Sequence, residues 1–311
     1  MADPYLTPAV DGRSPEVRVK LTPVKTLFDR ISATTERAIH RGALVSVPTA
    51  TTIIEDRGIP FVIHVTTLQD RKPRAGTRQD GGDFNPFLPP DLELLIDEVF
   101  PRHLSVLNKF NVLDHHLLIV TRSFEPQEAL LTLDDFEALA GCMGEMDGLG
   151  FYNGGTVAGA SQAHKHLQLV PLPLGNGPRP TPLDRVLPTS TEPGTATTVP
   201  ALPFAHSLIT LDGSPLGIHR ATELEQFYRR ACAAVGVHDE TRPYNFLLTR
   251  RWMLLVPRSR EHWRGISINA LGFAGSLLVR NNNELDQLNE KGPLSVLKSV
   301  VDDHQRDEDF P

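Results

Sequence analysis

The amino-acid sequence predicts a mixed α+β protein with two halves of similar character. Runs rich in β-branched residues flank a turn-like EDRG, at Leu44 to Ile54 and Ile59 to Thr66, and predict a β-hairpin. Apolar residues recur at helical spacing elsewhere, as in Thr132 to Met146. Between Gly175 and Pro200 the composition shifts to Pro, Thr, Gly and Ser without periodicity, which is typical of a linker between two folded parts.

Local patterns predict the other elements in the same way. The predicted helices are Val19 to Arg41, Asp91 to Arg102 and Thr222 to Val235, and the predicted strands are Val106 to Asn111, Leu117 to Thr121, Phe204 to Thr210, Tyr244 to Leu248 and Trp252 to Pro257. The linker, at 176–200, divides the chain into an N-terminal region, 1–175, and a C-terminal region, 201–311. Strands and helices are expected in both regions.

Composition narrows the class of protein. The chain has 311 residues, with 31 Lys and Arg against 38 Asp and Glu, a formal net charge of −7. Such an acidic chain is unsuited to coating a nucleic-acid backbone, whereas a small polyanion needs only a local positive cluster. Two cysteines cannot form a disulfide framework and fit a reducing cytoplasm. MADPYLTPAV lacks the layout of a signal peptide, and no apolar stretch reaches membrane-spanning length. We expect a cytoplasmic protein without membrane or nucleic-acid partners.

One motif concentrates the polar chemistry of the chain. It runs from Phe151 to Leu172 and ends in an alternating pattern typical of a strand. His164, His166 and Gln168 therefore share one face of that strand, while Lys165, Leu167 and Leu169 take the other. Upstream, Gly154, Gly155 and Gly159 with Ser161 and Gln162 form a loop of small residues whose backbone amides can approach phosphate oxygens closely. The combination indicates phosphoryl chemistry.

Two other interpretations of this motif exist. A His-x-His pair on a strand can be half of a zinc site, or it can simply belong to the solvent-exposed face of an amphipathic strand. Zinc would need further ligands, and Cys142 and Cys232 are far apart without a CxxC spacing. The small-residue loop directly before the histidines favours the phosphoryl interpretation.

The motif NGGTVAGASQAHKHLQL resembles the signature of the diadenosine tetraphosphate (Ap4A) phosphorylases, also called ATP adenylyltransferases, of the histidine-triad-like superfamily. The resemblance extends to RKP with FNPFLPP, to LNKF and HHLLIVTRSFEPQ, to YNFLLTRRWMLLVPRSRE and to SINALGFAGSLLVRN, in the family's order. It implies a histidine-triad-like fold with antiparallel sheets and flanking helices. It also implies a nucleotidyltransferase that converts Ap4A and inorganic phosphate to ATP and ADP, with the reverse reaction and sulfate as an alternative acceptor.

The resemblance assigns roles to individual residues. His166 corresponds to the nucleophile, His164 orients it and donates to the phosphate, and Gln168 completes the catalytic set. His116 supports the site, although this chain has NVLDHH where the family has a proline-bearing turn before one histidine. The substrate-binding residues implied are Lys72, Asn108, Lys109, Asn153, Gly159, Ala160, Ser161, Gln162, Gln168, Asn269, Ala270, Leu271, Ser276 and Arg280. Relatives often have methionine at the position of Ser276.

The chemistry expected at His166 follows from the substrate. Imidazole is neutral at physiological pH and attacks a phosphorus shielded by anionic oxygens more readily than an anion would. Hydrolytic relatives have histidine where this chain has Gln168, a residue that cannot transfer a proton. ATP needs no proton to leave, because the second ionisation of a phosphate lies at about pH 6. The sequence requires no cofactor and no resident metal, and Mg²⁺ can arrive with the polyphosphate.

Three rivals are distinguished by single features of the sequence. A nucleotide-sugar uridylyltransferase of the superfamily should have HPH in place of HKH and often carries metal-binding cysteines. A dinucleoside polyphosphate hydrolase should have histidine at position 168. A nucleotide-binding module without activity should lack the nucleophile, which is present as His166.

Overall fold

A single nine-stranded antiparallel sheet runs through the computed structural model, which describes residues 25–66, 85–188 and 192–302. The helices are α1 (Leu27–His40), α2 (Leu133–Glu145), α3 (Ala221–Ala234), α4 (Ala270–Phe273), α5 (Asn282–Lys291) and α6 (Pro293–Ser299). The strands are β1 (Thr49–Asp56), β2 (Ile59–Thr66), β3 (Leu95–Phe100), β4 (His103–Leu107), β5 (Leu117–Thr121), β6 (Gly148–Gly154), β7 (His166–Pro171), β8 (Ala196–Thr197), β9 (Ser207–Thr210), β10 (Tyr244–Leu248), β11 (Trp252–Pro257), β12 (His262–Trp263), β13 (Ile266–Ser267) and β14 (Ser276–Val279).

The order of strands places the motif strand near the middle of the large sheet. That order is β3-β4-β5-β7-β6-β10-β11-β9-β8, so β7 has a hydrogen-bonded neighbour on each side. Strand β6 then pairs with β10, a strand of the C-terminal region, with Asn153 opposite Asn245. The two regions of the chain therefore share one sheet. The mixed α+β class with antiparallel sheets is confirmed.

The two largest hydrophobic cores among the described residues lie on opposite faces of this sheet. One face packs against α1, α2 and α3, through residues such as Phe136 of α2 and Tyr228 of α3. The other packs against β2, α4 and α6, with Phe151 and Val256 contributing from the large sheet. Alternate side chains of each strand enter opposite cores because a strand has a period of two residues. Strand β7 follows this rule, since Leu167 and Leu169 enter the helical core and Val170 the other.

Several predicted elements are confirmed. Strands β1 and β2 form the predicted hairpin around Arg57 and Gly58, and β14 adds to β2 in parallel to complete a three-stranded sheet. Helix α2 begins after Thr132, whose hydroxyl and backbone N–H both bond the carboxylate of Asp135, a capping box. Strands β10 and β11 have the predicted bounds. Helix α1 matches the described part of the predicted N-terminal helix, whose residues before Lys25 lie outside the described ranges.

The predicted helix from Asp91 to Arg102 is wrong. This segment contains β3, which turns through Pro101 and Arg102 and pairs with β4. Leu92, Leu95 and Val99 recur at helical spacing, so periodicity alone favoured a helix. Pairing with the following strand outweighed that local preference, as tertiary context often does.

The predicted linker is packed against the body of the protein where it is described. A short 3₁₀ helix, Pro182–Arg185, places Leu183 in the second core, and Val199 joins the same core. Asp184 accepts a hydrogen bond of 2.9 Å from the indole N–H of Trp252 in β11. The division of the chain into 1–175, 176–200 and 201–311 stays a prediction, and the stretch between its two regions is not a free tether.

No helix in the described ranges is long and apolar enough to cross a membrane.

A buried guanidinium joins the two regions beside the motif. Arg258, only 4% exposed, donates to the carbonyls of Ile268 at 2.9 Å, Arg260 at 2.7 Å and Ala158 at 3.2 Å. It also donates to the side-chain oxygen of Asn245 at 2.6 Å. Burial lowers the pKa of Arg258 to about 9, so the group remains charged at neutral pH. Its hydrogen bonds go to carbonyl oxygens, while the charge of Glu261 opposes the effect of burial on the pKa.

We expect Arg258→Met to lower the free energy of unfolding by about 3 kcal/mol, because several buried carbonyls lose their donor at once. Urea unfolding at neutral pH measures the change. The matched control is Arg251→Met, at an exposed position of the turn between β10 and β11. An Arg258→Met protein as stable as the control would show that the guanidinium does not hold the two regions together.

Candidate active site

His166 is held in a single orientation at the start of β7. Its side chain is 4% exposed, and its Nδ1 lies 2.8 Å from the backbone oxygen of His164. A carbonyl oxygen can only accept, so Nδ1 carries the proton and donates it. Burial lowers the pKa of His166 to about 4, so the ring is neutral at physiological pH. The lone pair of a neutral imidazole with a protonated Nδ1 is on Nε2, the atom available for attack.

The backbone of His166 is clamped by Gln127. The side-chain oxygen of Gln127 accepts from the N–H of His166 at 2.8 Å. Its amide nitrogen donates to the carbonyls of His166 at 3.2 Å and Asn153 at 2.9 Å. Gln127 is fully buried. Gln127 has no role among the sequence predictions, and its position at the end of SFEPQ, within a block that resembles the family, is the only signal for one.

A buried ion pair anchors the other face of the same strand segment. Lys165 lies 2.7 Å from the carboxylate of Asp135 in α2, and its side chain is fully buried. Burial alone would raise the pKa of Asp135, but the hydrogen bond from His103 and the charge of Lys165 lower it to about 2. The backbone N–H of Lys165 also donates to Glu125 at 2.8 Å. Strand alternation predicted that Lys165 shares this face with Leu167 and Leu169, and its buried charge is satisfied by Asp135 of helix α2.

His164 contributes its backbone to the site and has both ring nitrogens occupied by protein groups. Asn85 donates to its Nδ1 at 2.9 Å, because the side-chain oxygen of Asn85 already accepts from the N–H of Phe87. Its Nε2 therefore carries the proton and lies 2.9 Å from the carbonyl of Thr121. Orientation of His166 by His164 has a geometric basis in the carbonyl. The expected donation from His164 to a phosphate has no such basis, because its only ring N–H already donates to the carbonyl of Thr121.

Gln168 faces the same side as His166 and is bonded to His116. The Nε2 of His116 lies 2.9 Å from the side-chain oxygen of Gln168, and Asn108 lies 3.2 Å from the Nδ1 of His116. Burial lowers the pKa of His116 to about 4, so this ring too is neutral. Asn108, expected at the phosphates, is directed to a histidine instead. His115 packs its ring against Phe28, with centroids 5.1 Å apart.

The small-residue loop leaves backbone donors available for an anion. Gly155 and Gly159 have φ of 91° and 92°, values that L side chains rarely adopt. A Cβ on Gly159 would lie 2.6 Å from the oxygen of Ile268, so the loop is pressed against the C-terminal region. Among the described residues, neither the N–H nor the side chain of Ser161 or Gln162 has a hydrogen-bond partner. Unpaired amides directly after such a left-handed turn form the kind of concavity that binds phosphates.

Asn153 links this loop to the segment that follows β13. Its side-chain oxygen accepts from the amide of Asn245 at 2.8 Å and from the N–H of Ala270 at 2.9 Å. Asn269 caps α4 by accepting from the N–H of Leu271 at 3.0 Å. The predicted residues Asn153, Gly159, Asn269 and Ala270 are thus neighbours, although more than a hundred positions separate the two segments in the chain.

The remaining predicted residues lie further out or outside the described ranges. Arg280 directly follows β14 and forms a salt bridge with the carboxylate of Glu284. Ser276 is buried in β14 opposite Val62. Lys109 is half-exposed and 4.0 Å from Asp91. Lys72 lies outside the described residues. The described ranges contain no group of three or more His, Cys, Asp or Glu side chains placed to hold a metal.

A neutral histidine with one unprotonated nitrogen, beside unpaired loop amides, is the arrangement of an enzyme that transfers a phosphorus-containing group through histidine. The comparisons agree with this class. Residues 17–189 match the model of the Ap4A phosphorylase N-terminal domain, and residues 200–301 match the ATP adenylyltransferase C-terminal domain. The chain therefore belongs to the Ap4A phosphorylase and ATP adenylyltransferase family of nucleotidyltransferases.

Relatives in Saccharomyces cerevisiae cover most of the chain. Diadenosine 5',5'''-P1,P4-tetraphosphate phosphorylase 2 is 32% identical over 265 residues, which is 74% of this chain and 79% of that protein. Protein APA1 is 29% identical over 296 residues, 85% of this chain and 90% of that one. The crystal structure of yeast Ap4A phosphorylase Apa2 in complex with Ap4A has the same fold, with a TM-score of 0.74 at 24% identity over 89% of this chain and 98% of that one.

The low pKa values of His116 and His166 predict a pH-dependent stability. Their ordinary value is 6.5, so between pH 6.5 and about 4 the unfolded chain binds more protons than the folded one. The free energy of unfolding therefore falls as pH drops through this window, by up to about 1.4 kcal/mol per pH unit for each histidine. In His166→Asn the slope should be smaller by one histidine's share, as urea unfolding from pH 7 to 4.5 measures. His219→Asn, at an exposed position, is the control. An unchanged slope in His166→Asn would contradict a neutral buried ring.

Proposed function

We propose that this chain cleaves Ap4A by phosphorolysis, giving ATP and ADP through an adenylyl group carried on Nε2 of His166. The observation that supports it most directly is the 2.8 Å hydrogen bond from Nδ1 of His166 to the carbonyl of His164, which leaves Nε2 unprotonated. The names of the relatives support the substrate, since one is an Ap4A phosphorylase and the related Apa2 has been crystallised with Ap4A and with AMP.

In the first step the lone pair of Nε2 attacks the α-phosphorus of Ap4A. A nitrogen–phosphorus bond forms, the bond from that phosphorus to the bridging oxygen breaks, and ATP leaves with the electron pair as an anion. The leaving oxygen needs no proton, because a terminal phosphate ionises at about pH 6. Gln168, which cannot act as an acid, is sufficient for this departure.

In the second step an oxygen of inorganic phosphate attacks the adenylyl phosphorus. The nitrogen–phosphorus bond breaks, Nε2 regains its lone pair, and ADP is released. Phosphate is anionic and nucleophilic by itself, so the site does not require the general base that water would need. Run in reverse, the same steps make Ap4A from ATP and ADP. Sulfate in place of phosphate is a second acceptor that this mechanism admits.

The groups around His166 receive separate roles in this proposal. The N–H groups of Ser161 and Gln162 hold nonbridging oxygens, while Gly159 and Ala160, whose N–H groups donate within the loop, set its path. The side chain of Gln168 donates to the same phosphate. Asn153 and the Asn269 to Leu271 segment shape the pocket for the nucleotide, and His164 acts through its carbonyl. Lys72, Lys109, Ser276 and Arg280 remain predicted contacts to the substrate, and Arg280 must then release or share Glu284.

Magnesium enters only with the substrate in this scheme, bound to the polyphosphate rather than to a protein site. Hydrolysis is disfavoured, because Gln168 stands where a hydrolase needs a proton-transferring histidine. Neither Cys142 nor Cys232 forms a disulfide, and both are buried, which supports the reducing cytoplasm proposed for this chain.

We expect enzyme mixed with α-labelled Ap4A, without phosphate, to retain an acid-labile adenylyl group. His166→Ala should lose both labelling and turnover, since no other ring among the described residues of that face has an unprotonated nitrogen facing the site. Denaturing chromatography followed by intact-protein mass spectrometry measures the adduct. His219→Ala should label like the wild type. A stable adduct on His166→Ala would assign the nucleophile to another residue.

Replacing Gln168 should alter the choice between phosphate and water. In Gln168→His an imidazole can carry a proton to or from an attacking water, a contribution that is typically a hundredfold or more in an optimised site. We expect a smaller gain, about tenfold, in AMP release from Ap4A in phosphate-free buffer. Chromatographic quantitation of ADP and AMP over a phosphate titration measures it. If the wild type readily released AMP from Ap4A without phosphate, the chain would be a hydrolase.

A further inference from the structure

A chain of hydrogen bonds leads from the loop between β4 and β5 to the side chain of Gln168. The N–H of Phe110 donates to the side-chain oxygen of Asn108 at 3.2 Å. The amide nitrogen of Asn108 lies 3.2 Å from Nδ1 of His116. The Nε2 of His116 lies 2.9 Å from the side-chain oxygen of Gln168. The loop between β4 and β5 is closed by the backbone N–H of Asn108, which donates to the backbone carbonyl of His116 at 2.9 Å.

The chemistry of each group fixes the direction of every bond. A backbone N–H can only donate, so the oxygen of the Asn108 amide faces Phe110 and its NH₂ faces His116. An NH₂ group can only donate, so Nδ1 of His116 must accept and is unprotonated. In a neutral ring the proton is then on Nε2, which donates to the oxygen of Gln168. The NH₂ of Gln168 is the part of that amide left over for the site.

The opposite polarity would break this agreement. If the oxygen of Asn108 faced His116, its NH₂ would meet the N–H of Phe110, two donors in contact. If His116 were the other tautomer, with its proton on Nδ1, that N–H would face the NH₂ of Asn108, two donors in contact. Its Nε2 would face the side-chain oxygen of Gln168, two acceptors in contact. The burial of His116 and Gln168, both 8% exposed, keeps water from substituting for either lost bond.

We propose that Asn108 is a positioning residue that sets the polarity of His116, so that Gln168 presents its NH₂ and not its carbonyl oxygen to the reacting phosphate. This inference rests on the proposed function, since it assumes that an anion lies beside Gln168. It gives Asn108 a different role from the phosphate contact implied by the family resemblance. A donor at Gln168 stabilises the charged phosphate, whereas a carbonyl oxygen would repel it.

Asn108→Asp tests the proposal because it keeps the shape and replaces a donor with an acceptor. A carboxylate beside Nδ1 draws the proton of His116 to that nitrogen, and Nε2 becomes an acceptor. Gln168 must then turn its NH₂ toward His116 and its oxygen toward the phosphate. At pH 8.5, where a neutral ring is favoured, we expect kcat/KM for Ap4A with phosphate to fall about 10- to 100-fold, the loss of a hydrogen bond to a charged group. Asn108→Ala, which removes the preference without inverting it, should lose less, about threefold to tenfold.

The protonation of His116 is read directly by NMR of protein labelled with ¹⁵N-histidine. The His116 signals are identified by their loss in His116→Asn. In the wild type we expect a proton on Nε2 and none on Nδ1, and in Asn108→Asp the reverse. This measurement needs no substrate. If the wild type fails to make ATP and ADP, the proposed function is at fault and the NMR pattern still reports on Asn108.

Two outcomes would overturn the inference. In one, His116 of Asn108→Asp keeps its Nε2 proton, as the other tautomer or as an imidazolium, so Asn108 does not set the polarity. In the other, the proton moves to Nδ1 while kcat/KM is unchanged, so the orientation of Gln168 does not matter. Asp114→Asn changes one charge at an exposed position of the same loop and should leave both the spectrum and kcat/KM as in the wild type.

Discussion

The geometry of this site depends on the hydrogen bond from Nδ1 of His166 to the backbone oxygen of His164. It decides which ring nitrogen keeps a lone pair, and it does so without a carboxylate that would raise the basicity of the ring. Because the acceptor is a backbone carbonyl, its position depends on the path of the chain at 164–166. Gln127 on one side and Lys165 with Asp135 on the other fix that path. The reactive atom is therefore placed by the strand and by the groups that hold the strand.

The C-terminal region completes the site from the opposite direction. Arg258 and Asn245 both bond the carbonyl of Ala158, directly before Gly159, and Asn153 receives the N–H of Ala270. The loop that offers N–H groups to an anion is thus shaped by residues from beyond the predicted linker. Continuous pairing from β6 to β10 brings the two groups together. Each region forms part of one wall of the site, so the chain does not divide into a catalytic half and an accessory half.

Local sequence patterns predicted the fold class and several secondary-structure elements, but not the side-chain contacts between distant segments. The α+β class, the hairpin, α2 and the face shared by His166 and Gln168 all follow from periodicity and capping. The strand at β3 was missed because its apolar residues fit a helix equally well. Gln127 and Arg258 were not recognised, since a glutamine or arginine becomes a clamp only when its partners arrive from distant segments. The orientation of Asn108 likewise depends on a histidine across a loop, which spacing alone does not reveal.

The buried pair of Lys165 and Asp135 has an evolutionary consequence. Uridylyltransferase relatives are expected to have proline between the two histidines, and proline has neither the N–H that Lys165 donates to Glu125 nor a charge to offer Asp135. A drift from HKH to HPH would leave that carboxylate buried without its lysine. Positions 165 and 135 should therefore vary together among homologues, with proline at the first accompanied by an uncharged residue at the second. The residue between the two histidines would then distinguish lineages by its buried partner at position 135, while the face that carries the histidines stays the same.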